Sequence, residues 1–200
     1  MRNQWSRVAS SWIVLAGLAC SQAEEPPAGE EIPFNRGTAQ SGPQNGGLEF
    51  RMPEGWVREQ PSSAMRHSQY LLPGEEAGKD AELAVFTNIG GSIRQNVDRW
   101  INQFTIDDGR SASEAAEVST KEIHGFKVTL VDVSGSYNAA MGPMAAGGGE
   151  TRPGYRMLAA VIETPQAPWF LKLTGPRETV ARWEASFEQF VESAHPGGRP

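Results

Sequence analysis

The chain has little of three things that many functional sites need: cysteine, histidine and positive charge. Its 200 residues include one cysteine and three histidines, and 18 lysines and arginines stand against 24 aspartates and glutamates. A single cysteine excludes an intrachain disulfide, a thiolate zinc cluster and a CxxC redox pair. The net charge of −6 argues against binding to nucleic acid, because that binding depends on clustered Lys and Arg. We therefore expect no nucleic-acid partner.

The first 19 residues have the pattern of a secretory signal peptide rather than of a folded segment. Arg2 and Arg7 supply positive charge, and an uncharged, mostly apolar run follows over residues 10–19. This run is much shorter than the roughly 20 apolar residues that a membrane-spanning helix needs. Residues 1–19 are therefore predicted to direct export and then to be removed.

The single cysteine, Cys20, comes directly after this segment. Residues 16–20 read Ala-Gly-Leu-Ala-Cys and resemble a bacterial lipobox, in which the signal peptide is cut before a cysteine that carries lipid. The resemblance implies a lipoprotein held at the cell envelope by several acyl chains, which anchor stably where one chain does not. In a Gram-negative host, Ser21 resembles a signal for the outer rather than the inner membrane, facing the periplasm. The alternative is an ordinary signal peptide followed by an incidental cysteine.

Composition divides the remaining chain into a tether, a domain and a tail. After Cys20, the segment 20–47 holds four prolines, five glycines, and four glutamates against one arginine. Such a segment buries too little apolar surface to offset the entropy of ordering, so it is predicted to be a disordered acidic tether. Residues 48–194 have regular patterns and are predicted to form one domain. The tail, 195–200, is predicted to be disordered.

Hydrophobic periodicity within 48–194 predicts both strands and helices. Apolar residues at helical spacing indicate one helix over 92–105, with Ser92 as its cap, and a second helix after Pro176. Alternation and apolar runs predict strands at 48–52, 68–72, 82–87, 117–123, 126–134, 155–163 and 169–174. Several of these strands are apolar at both odd and even positions, so both faces of the sheet should be covered. The order predicts an α+β fold, a mainly antiparallel sheet covered by helices on both faces.

Two short motifs carry a resemblance to a known family. The sequence Pro-Glu-Gly-Trp at 53–56 follows the first predicted strand, and Asn-Val-Asp-Arg-Trp at 96–100 lies in the first predicted helix. With the order of elements, these resemble the PsbP/DcrB-like superfamily, and within it uncharacterised exported bacterial lipoproteins. The resemblance implies an α/β/α sandwich in a superfamily that includes scaffolding and assembly proteins. It implies no shared catalytic residues.

Catalytic and metal-binding patterns are absent from the sequence. None of His67, His124 and His195 has a partner at metal-ligand spacing, and there is no GxSxG nucleophile elbow. We therefore predict no metal, no cofactor and no enzymatic activity. A candidate anion site is the start of the first helix, where Gly91 and Ser92 precede Arg94, because first-turn N–H groups attract anions. The alternative there is a simple serine helix cap.

Two further surfaces are candidates for partner binding. Met141 and Met144 lie in a long irregular segment, 138–154, of a kind that is often functional or disordered; copper binding through their thioethers and a plain mobile hairpin end are the alternatives. Trp56 and Trp169 adjoin turns and are predicted to be surface aromatics. The leading hypothesis is a non-catalytic envelope protein that binds another envelope protein. A small-ligand or ion carrier is the alternative, and an unrecognised hydrolase a remote one.

Overall fold

A computed structural model describes residues 47–138 and 150–197 of the chain. Within them lie ten strands and three helices: β1 (Leu48–Glu49), β2 (Val57–Glu59), β3 (Arg66–Leu72), β4 (Ala81–Thr87), α1 (Ile93–Ile101), β5 (Phe104–Thr105), α2 (Ala112–Ala115), β6 (Glu117–Ile123), β7 (Phe126–Asn138), β8 (Thr151–Glu163), β9 (Trp169–Pro176), α3 (Arg177–Glu192) and β10 (His195–Pro196). No helix of this described part is long and apolar enough to cross a bilayer. The predicted signal peptide, Cys20 and most of the tether lie outside the described residues.

The main sheet has eight strands, and every pairing in it is antiparallel. Its order is β2-β3-β4-β9-β8-β7-β5. The eighth strand, β6, pairs with the first half of β7, whereas β5 pairs with the second half. The centre of the sheet is therefore β9, between β4 and β8. The predicted α+β class with a mainly antiparallel sheet is confirmed.

The predicted hairpin between the sixth and seventh strands is confirmed. Ile123 pairs with Phe126, and the two residues between them, His124 and Gly125, have φ angles of 49° and 82°. Positive φ at both central residues is the geometry of a type I′ turn, whose twist matches that of the flanking strands. β7 then continues to Asn138, four residues beyond the predicted end of the strand at position 134.

The first predicted helix is shorter than its apolar spacing suggested. It begins after Ser92, whose side chain accepts from the Gln95 N–H while the Gln95 side chain accepts from the Ser92 N–H. It ends at Asn102, because Phe104 leaves the helix and pairs with Tyr137 in the sheet. The Phe104 ring nevertheless stays in the same buried cluster as Trp100 and Ile101 of α1. The apolar spacing thus predicted the burial of Phe104 correctly and its backbone conformation wrongly.

Side chains of the central strands divide between two buried clusters. On β8, Leu158, Ala160 and Ile162 belong to the first cluster, which also contains Phe187 and Phe190 of α3. The alternate residues of β8 belong to the second cluster, with the apolar side chains of α1. Successive side chains of a strand point to opposite faces of the sheet. The apolar content at both odd and even positions therefore reflects burial on two faces.

The tail prediction is wrong for its first two residues. His195 and Pro196 form β10, which pairs antiparallel with β1, and the Gly197 N–H donates to the Gly47 carbonyl at 2.7 Å. The strand predicted at 48–52 is only two residues long, Leu48–Glu49. It pairs with β10 and does not join the main sheet. A segment with little apolar content becomes ordered here because the opposite end of the domain offers it backbone partners.

Candidate binding site

The side chain that departs most from its surroundings is Lys172, the one charged residue of β9. Its neighbours along the strand, Leu171 and Leu173, lie in the first buried cluster, so Lys172 points to the opposite face of the sheet. Directly across from it are Ala84 on β4 and Ala159 on β8. These small neighbours leave space above the sheet for the long lysine side chain.

The Lys172 ammonium is surrounded by aromatic rings and neutral polar atoms. Its Nζ donates to Gln103 Oε1 at 2.5 Å and to Tyr137 Oη at 3.3 Å. It also lies 5.6 Å from the centre of the Trp100 ring and 5.2 Å from that of Tyr137, within the range of cation–π interactions. Among residues 47–138 and 150–197, no carboxylate forms an ion pair with Lys172. We call Lys172, Gln103, Tyr137 and Trp100 the lysine niche.

The surroundings lower the pKa of Lys172 to about 7. Burial among protein atoms is the main cause, because it disfavours the charged form, and the nearby positive charges of Arg66 and Arg99 act in the same direction. The Glu82 carboxylate opposes them and raises the pKa, but by less. At neutral pH this amine is therefore divided between its charged and neutral forms, whereas a solvated lysine is charged.

The cations beside the niche are already engaged. Arg66 forms an ion pair with Glu82 at 2.7 Å and donates to Gln69 Oε1 at 2.8 Å, and Gln69 in turn donates to Glu59 at 2.9 Å. Arg99 of α1 donates to the side-chain oxygen of Asn96. Lys172 differs from Arg66, which has a carboxylate partner, and from Arg99, which has a neutral partner but is exposed to solvent.

A pair of tyrosines extends the niche along the sheet. The rings of Tyr137 and Tyr155 are stacked, with centres 5.9 Å apart and planes 6° apart. Arg152 lies 5.9 Å from the centre of the Tyr155 ring. Both tyrosines are half-buried, and burial raises the pKa of Tyr137, which keeps its hydroxyl protonated. The stack therefore supplies partly exposed aromatic atoms close to the ammonium.

A cleft of about 600 Å³ lies at the edge of β7. β6 pairs with β7 as far as Asp132, and β5 pairs from Ser136, so the cleft opens at the gap between them. Arg156, whose side chain is 14% exposed, donates two hydrogen bonds to Asp132 and two to Glu184 on α3. These contacts join the sheet to α3, so we interpret the Arg156 network as structural.

A smaller cavity of about 460 Å³ lies where β8 begins and α3 starts. Tyr155 lines it, together with Pro176, Thr179 and the acidic side chains Glu75 and Glu178. The Thr179 hydroxyl already donates to the Lys79 carbonyl at 2.6 Å. The cavity thus borders the tyrosine stack, and its walls also carry Lys79 and Arg182, of which Arg182 lies 3.6 Å from Glu75.

The prediction that Trp56 and Trp169 are surface aromatics is wrong. They are 4% and 6% exposed and belong to the first buried cluster. Trp56 packs 5.1 Å from the Phe190 ring and donates through Nε1 to the Ser186 hydroxyl at 3.1 Å. Position next to a turn misled the prediction, because α3 covers Trp56 while the rings of Phe50 and His67 pack against Trp169.

The Trp56 environment also explains the Pro-Glu-Gly-Trp motif. Gly55 has a φ of 84°, and a Cβ at that position would lie 2.8 Å from the Trp183 ring of α3. A side chain there would therefore be both strained and crowded. The motif is a tight turn that seats Trp56 against α3.

At the start of α1 the structure favours the alternative of a helix cap. The Ser92 and Gln95 side chains and backbone N–H groups satisfy one another, as described above, and Gly91 supports the turn with a φ of 89°. Arg94 is 90% exposed and lies 3.5 Å from Asp98. Within the described residues the Arg94 side chain pairs with Asp98, so the serine cap accounts for this turn and the anion site stays a prediction.

The remaining predicted residues carry no described site chemistry. Met141 and Met144 lie outside the described residues, as Cys20 does. The ring of His67 contacts Trp169 at 4.8 Å, and burial followed by the charge of Arg58 lowers its pKa. Over 47–138 and 150–197, no group of three or more His, Cys, Asp or Glu side chains could hold a metal ion.

Sequence reasoning missed Lys172 altogether. The run Trp-Phe-Leu-Lys-Leu-Thr at 169–174 predicts only an apolar strand. A signal was present: one lysine interrupts a strand that is apolar at both odd and even positions, and such a strand is buried on both faces. A charge in that place calls for a partner or a function.

Comparison with solved structures finds bacterial proteins of similar fold, of which three are described here. LpqN of Mycobacterium tuberculosis, involved in cell envelope biogenesis, is 12% identical, with 80% of this chain and 88% of that one covered and a TM-score of 0.50. PA94 of Pseudomonas aeruginosa, of unknown function, is 13% identical, with coverages of 77% and 100% and a TM-score of 0.45. PsbP (CyanoP) of Synechocystis sp. PCC 6803 is 13% identical, with coverages of 76% and 87% and a TM-score of 0.45.

These likenesses concern the fold alone, because the identities are 12–13%. No family model matches the chain, and no curated protein matches it. The likeness to LpqN, at a TM-score of 0.50, shows a shared fold and no more. The class of domain is thus defined, while its function must be argued from the site.

Proposed function

We propose that the protein is an exported, lipid-anchored and non-catalytic binding module of the bacterial cell envelope. The lipobox-like sequence before Cys20 supports the anchor, and the similar fold of LpqN, a protein of cell envelope biogenesis, agrees with such a setting. One observation carries the binding function: a partly exposed area of polar and aromatic side chains beside α1, which contains the lysine niche. In a Gram-negative host the anchor would lie in the outer membrane, facing the periplasm.

The unequal lengths of the two long helices support this binding surface. We propose that α1 and α3 cover opposite faces of the sheet as in an α/β/α sandwich, since their side chains lie in different buried clusters. At 1.5 Å per residue, the nine residues of α1 cover about 13 Å, whereas the sixteen of α3 cover about 24 Å. The shorter helix leaves Tyr137, Tyr155 and Lys172 partly exposed.

The occupant of this surface is proposed to be another envelope protein, with a small-ligand carrier as the second candidate. The lysine niche favours the second candidate, because a single charge among aromatic rings suits a small anionic group. Met141 and Met144 remain predicted contact residues for the first.

Anchoring is tested by replacing the lipidated residue. In cells fed an alkyne-labelled fatty acid, we expect the wild-type protein to carry label and to sediment with membranes. The Cys20→Ala variant should carry none and should be released in soluble form. Equal labelling of the two proteins would contradict the anchor, and so would soluble wild-type protein.

Binding through this face is tested by site-specific photo-crosslinking in intact cells. Benzoylphenylalanine in place of the half-buried Tyr155, which stacks on Tyr137 of the lysine niche, should give discrete crosslinked products. The same residue at position 94, which is exposed and outside that surface, is the matched control. Indistinguishable products from positions 155 and 94 would contradict a binding role for this face.

A further inference from the structure

We propose that the lysine niche is a carboxylate-binding site in which the Lys172 ammonium is the charge that receives the ligand. This inference deepens the proposed binding function and rests on it. The ligand of the partly exposed face beside α1 is then a singly charged organic carboxylate. Two sources share this chemistry, a small molecule and an acidic side chain of a partner protein, and the competition experiment below distinguishes them.

The first argument is the incomplete neutralisation of a partly buried charge. Charged groups that are removed from water are paired in most proteins, because isolated burial of a charge is costly. Within the described residues, Lys172 has only the Gln103 oxygen, the Tyr137 hydroxyl and two ring faces as partners. A carboxylate would supply the missing opposite charge.

The second argument is that positive charge surrounds the Lys172 ammonium. The groups that face it are Arg66 on β3, Glu82 on β4, Arg99 on α1 and Tyr137 on β7. Arg66 is paired with Glu82, and Arg99 is bonded to the Asn96 side chain. The two arginines make the local potential more positive, which favours an incoming anion.

The third argument limits the charge and shape of the ligand. Glu82 lies close enough to influence Lys172 and would repel a doubly charged phosphate more strongly than a carboxylate. Tyr137, whose hydroxyl lies 3.3 Å from the ammonium, and Tyr155, which stacks on it, are both partly exposed and supply aromatic contact area beside the charge. A carboxylate attached to a planar apolar group, such as benzoate, can contact both features, whereas acetate can contact only the first.

Ligand binding at this site takes up a proton above neutral pH. The pKa of Lys172 is about 7 in the free protein, so about one tenth of the amine is charged at pH 8. Since only the charged form attracts a carboxylate, the apparent affinity falls with that fraction. Binding should therefore be about tenfold weaker at pH 8 than at pH 6, and at pH 8 close to one proton should enter from the buffer.

The experiment is a calorimetric titration of the full-length mature protein in detergent micelles. The probes are benzoate, acetate and inorganic phosphate, at pH 6 and at pH 8 in two buffers of different ionisation enthalpy. We expect benzoate to bind more tightly than acetate or phosphate. Its affinity should be about tenfold lower at pH 8 than at pH 6, and close to one proton should be taken up per benzoate bound at pH 8. Absence of benzoate binding at both pH values overturns the inference, and so does binding that does not change with pH.

Three variants test whether the Lys172 ammonium itself, and not another part of the surface, binds benzoate. Lys172→Met should abolish benzoate binding, while Lys172→Arg should keep it and remove its pH dependence, because arginine stays charged. Lys121→Met, which removes a lysine paired with Glu192 elsewhere, should behave as the wild type. A folded Lys172→Met protein that still binds benzoate overturns the inference.

Competition identifies the source of the carboxylate. If 155-directed crosslinks disappear when benzoate is added to permeabilised cells, an acidic group of a partner protein occupies the niche. If benzoate binds and the crosslinks persist, the natural carboxylate is a small molecule. If benzoate does not bind while the crosslinks remain specific to position 155, the inference fails and the proposed binding function stands.

Discussion

Replacing Lys172 by methionine is expected to remove a rise in stability with pH that the wild-type protein shows. The free energy of unfolding increases with pH wherever the unfolded state binds more protons than the folded state. For Lys172 this holds between its folded pKa of about 7 and the usual value of 10.5. The burial cost of the charge is fully present below pH 7 and is relieved as pH rises above it.

The size of the effect follows from the pKa difference. Each pKa unit corresponds to about 1.4 kcal/mol, so between pH 7 and pH 9 the wild-type free energy of unfolding should rise by about 2 kcal/mol from this group. Urea unfolding at pH 6, 7, 8 and 9 measures it. Lys172→Met should be nearly flat from pH 7 to pH 9, whereas Lys121→Met should keep the wild-type slope. Equal slopes for Lys172→Met and the wild type would mean that Lys172 ionises as a solvated lysine does.

Loss of the Arg156 guanidinium is expected to cost about 2–3 kcal/mol of folding free energy. This side chain forms four hydrogen bonds, two to Asp132 in the sheet and two to Glu184 on α3. Arg156→Ala removes the tie between the layers and leaves two carboxylates without their cation. Breaking a fully buried pair costs about 3–5 kcal/mol, and the partial exposure of both carboxylates lowers the expected cost to about 2–3 kcal/mol.

Two further variants test whether the stability loss comes from the paired geometry of Arg156 and not from the loss of any cation. Arg156→Lys keeps the positive charge but not the paired geometry, so it should recover part of the loss. Lys127→Ala, which removes an exposed cation paired with Glu163 across the same two strands, should cost about 0.5 kcal/mol or less. An Arg156→Ala protein as stable as Lys127→Ala in urea would contradict a structural role for the network.

Local signals in the sequence predicted much of the fold. Ser92 and Gln95 marked the beginning of α1, and His124-Gly125 marked the turn of the longest hairpin, because caps and tight turns depend on neighbouring residues. Burial on two faces was also visible, in the apolar residues at both odd and even positions of β8 and β9. These features need no knowledge of distant contacts.

Features that depend on distant contacts were not predictable in this way. Trp56 and Trp169 were expected at the surface, yet α3, more than 120 residues beyond Trp56 in the sequence, covers the first of them. β10 exists because the end of the domain meets β1. The lysine niche required the sheet register that places Tyr137 and Gln103 over Lys172. No pattern near position 172 contains that information.

The central claim is that Lys172 is a poorly neutralised amine that receives a carboxylate. The most direct test is NMR of the full-length mature protein with isotope-labelled lysine, in which the Lys172 signal is assigned by its loss in Lys172→Met. The account predicts a titration midpoint near pH 7 without ligand and a higher midpoint when benzoate is added. A midpoint near 10.5 that benzoate leaves unchanged would contradict it.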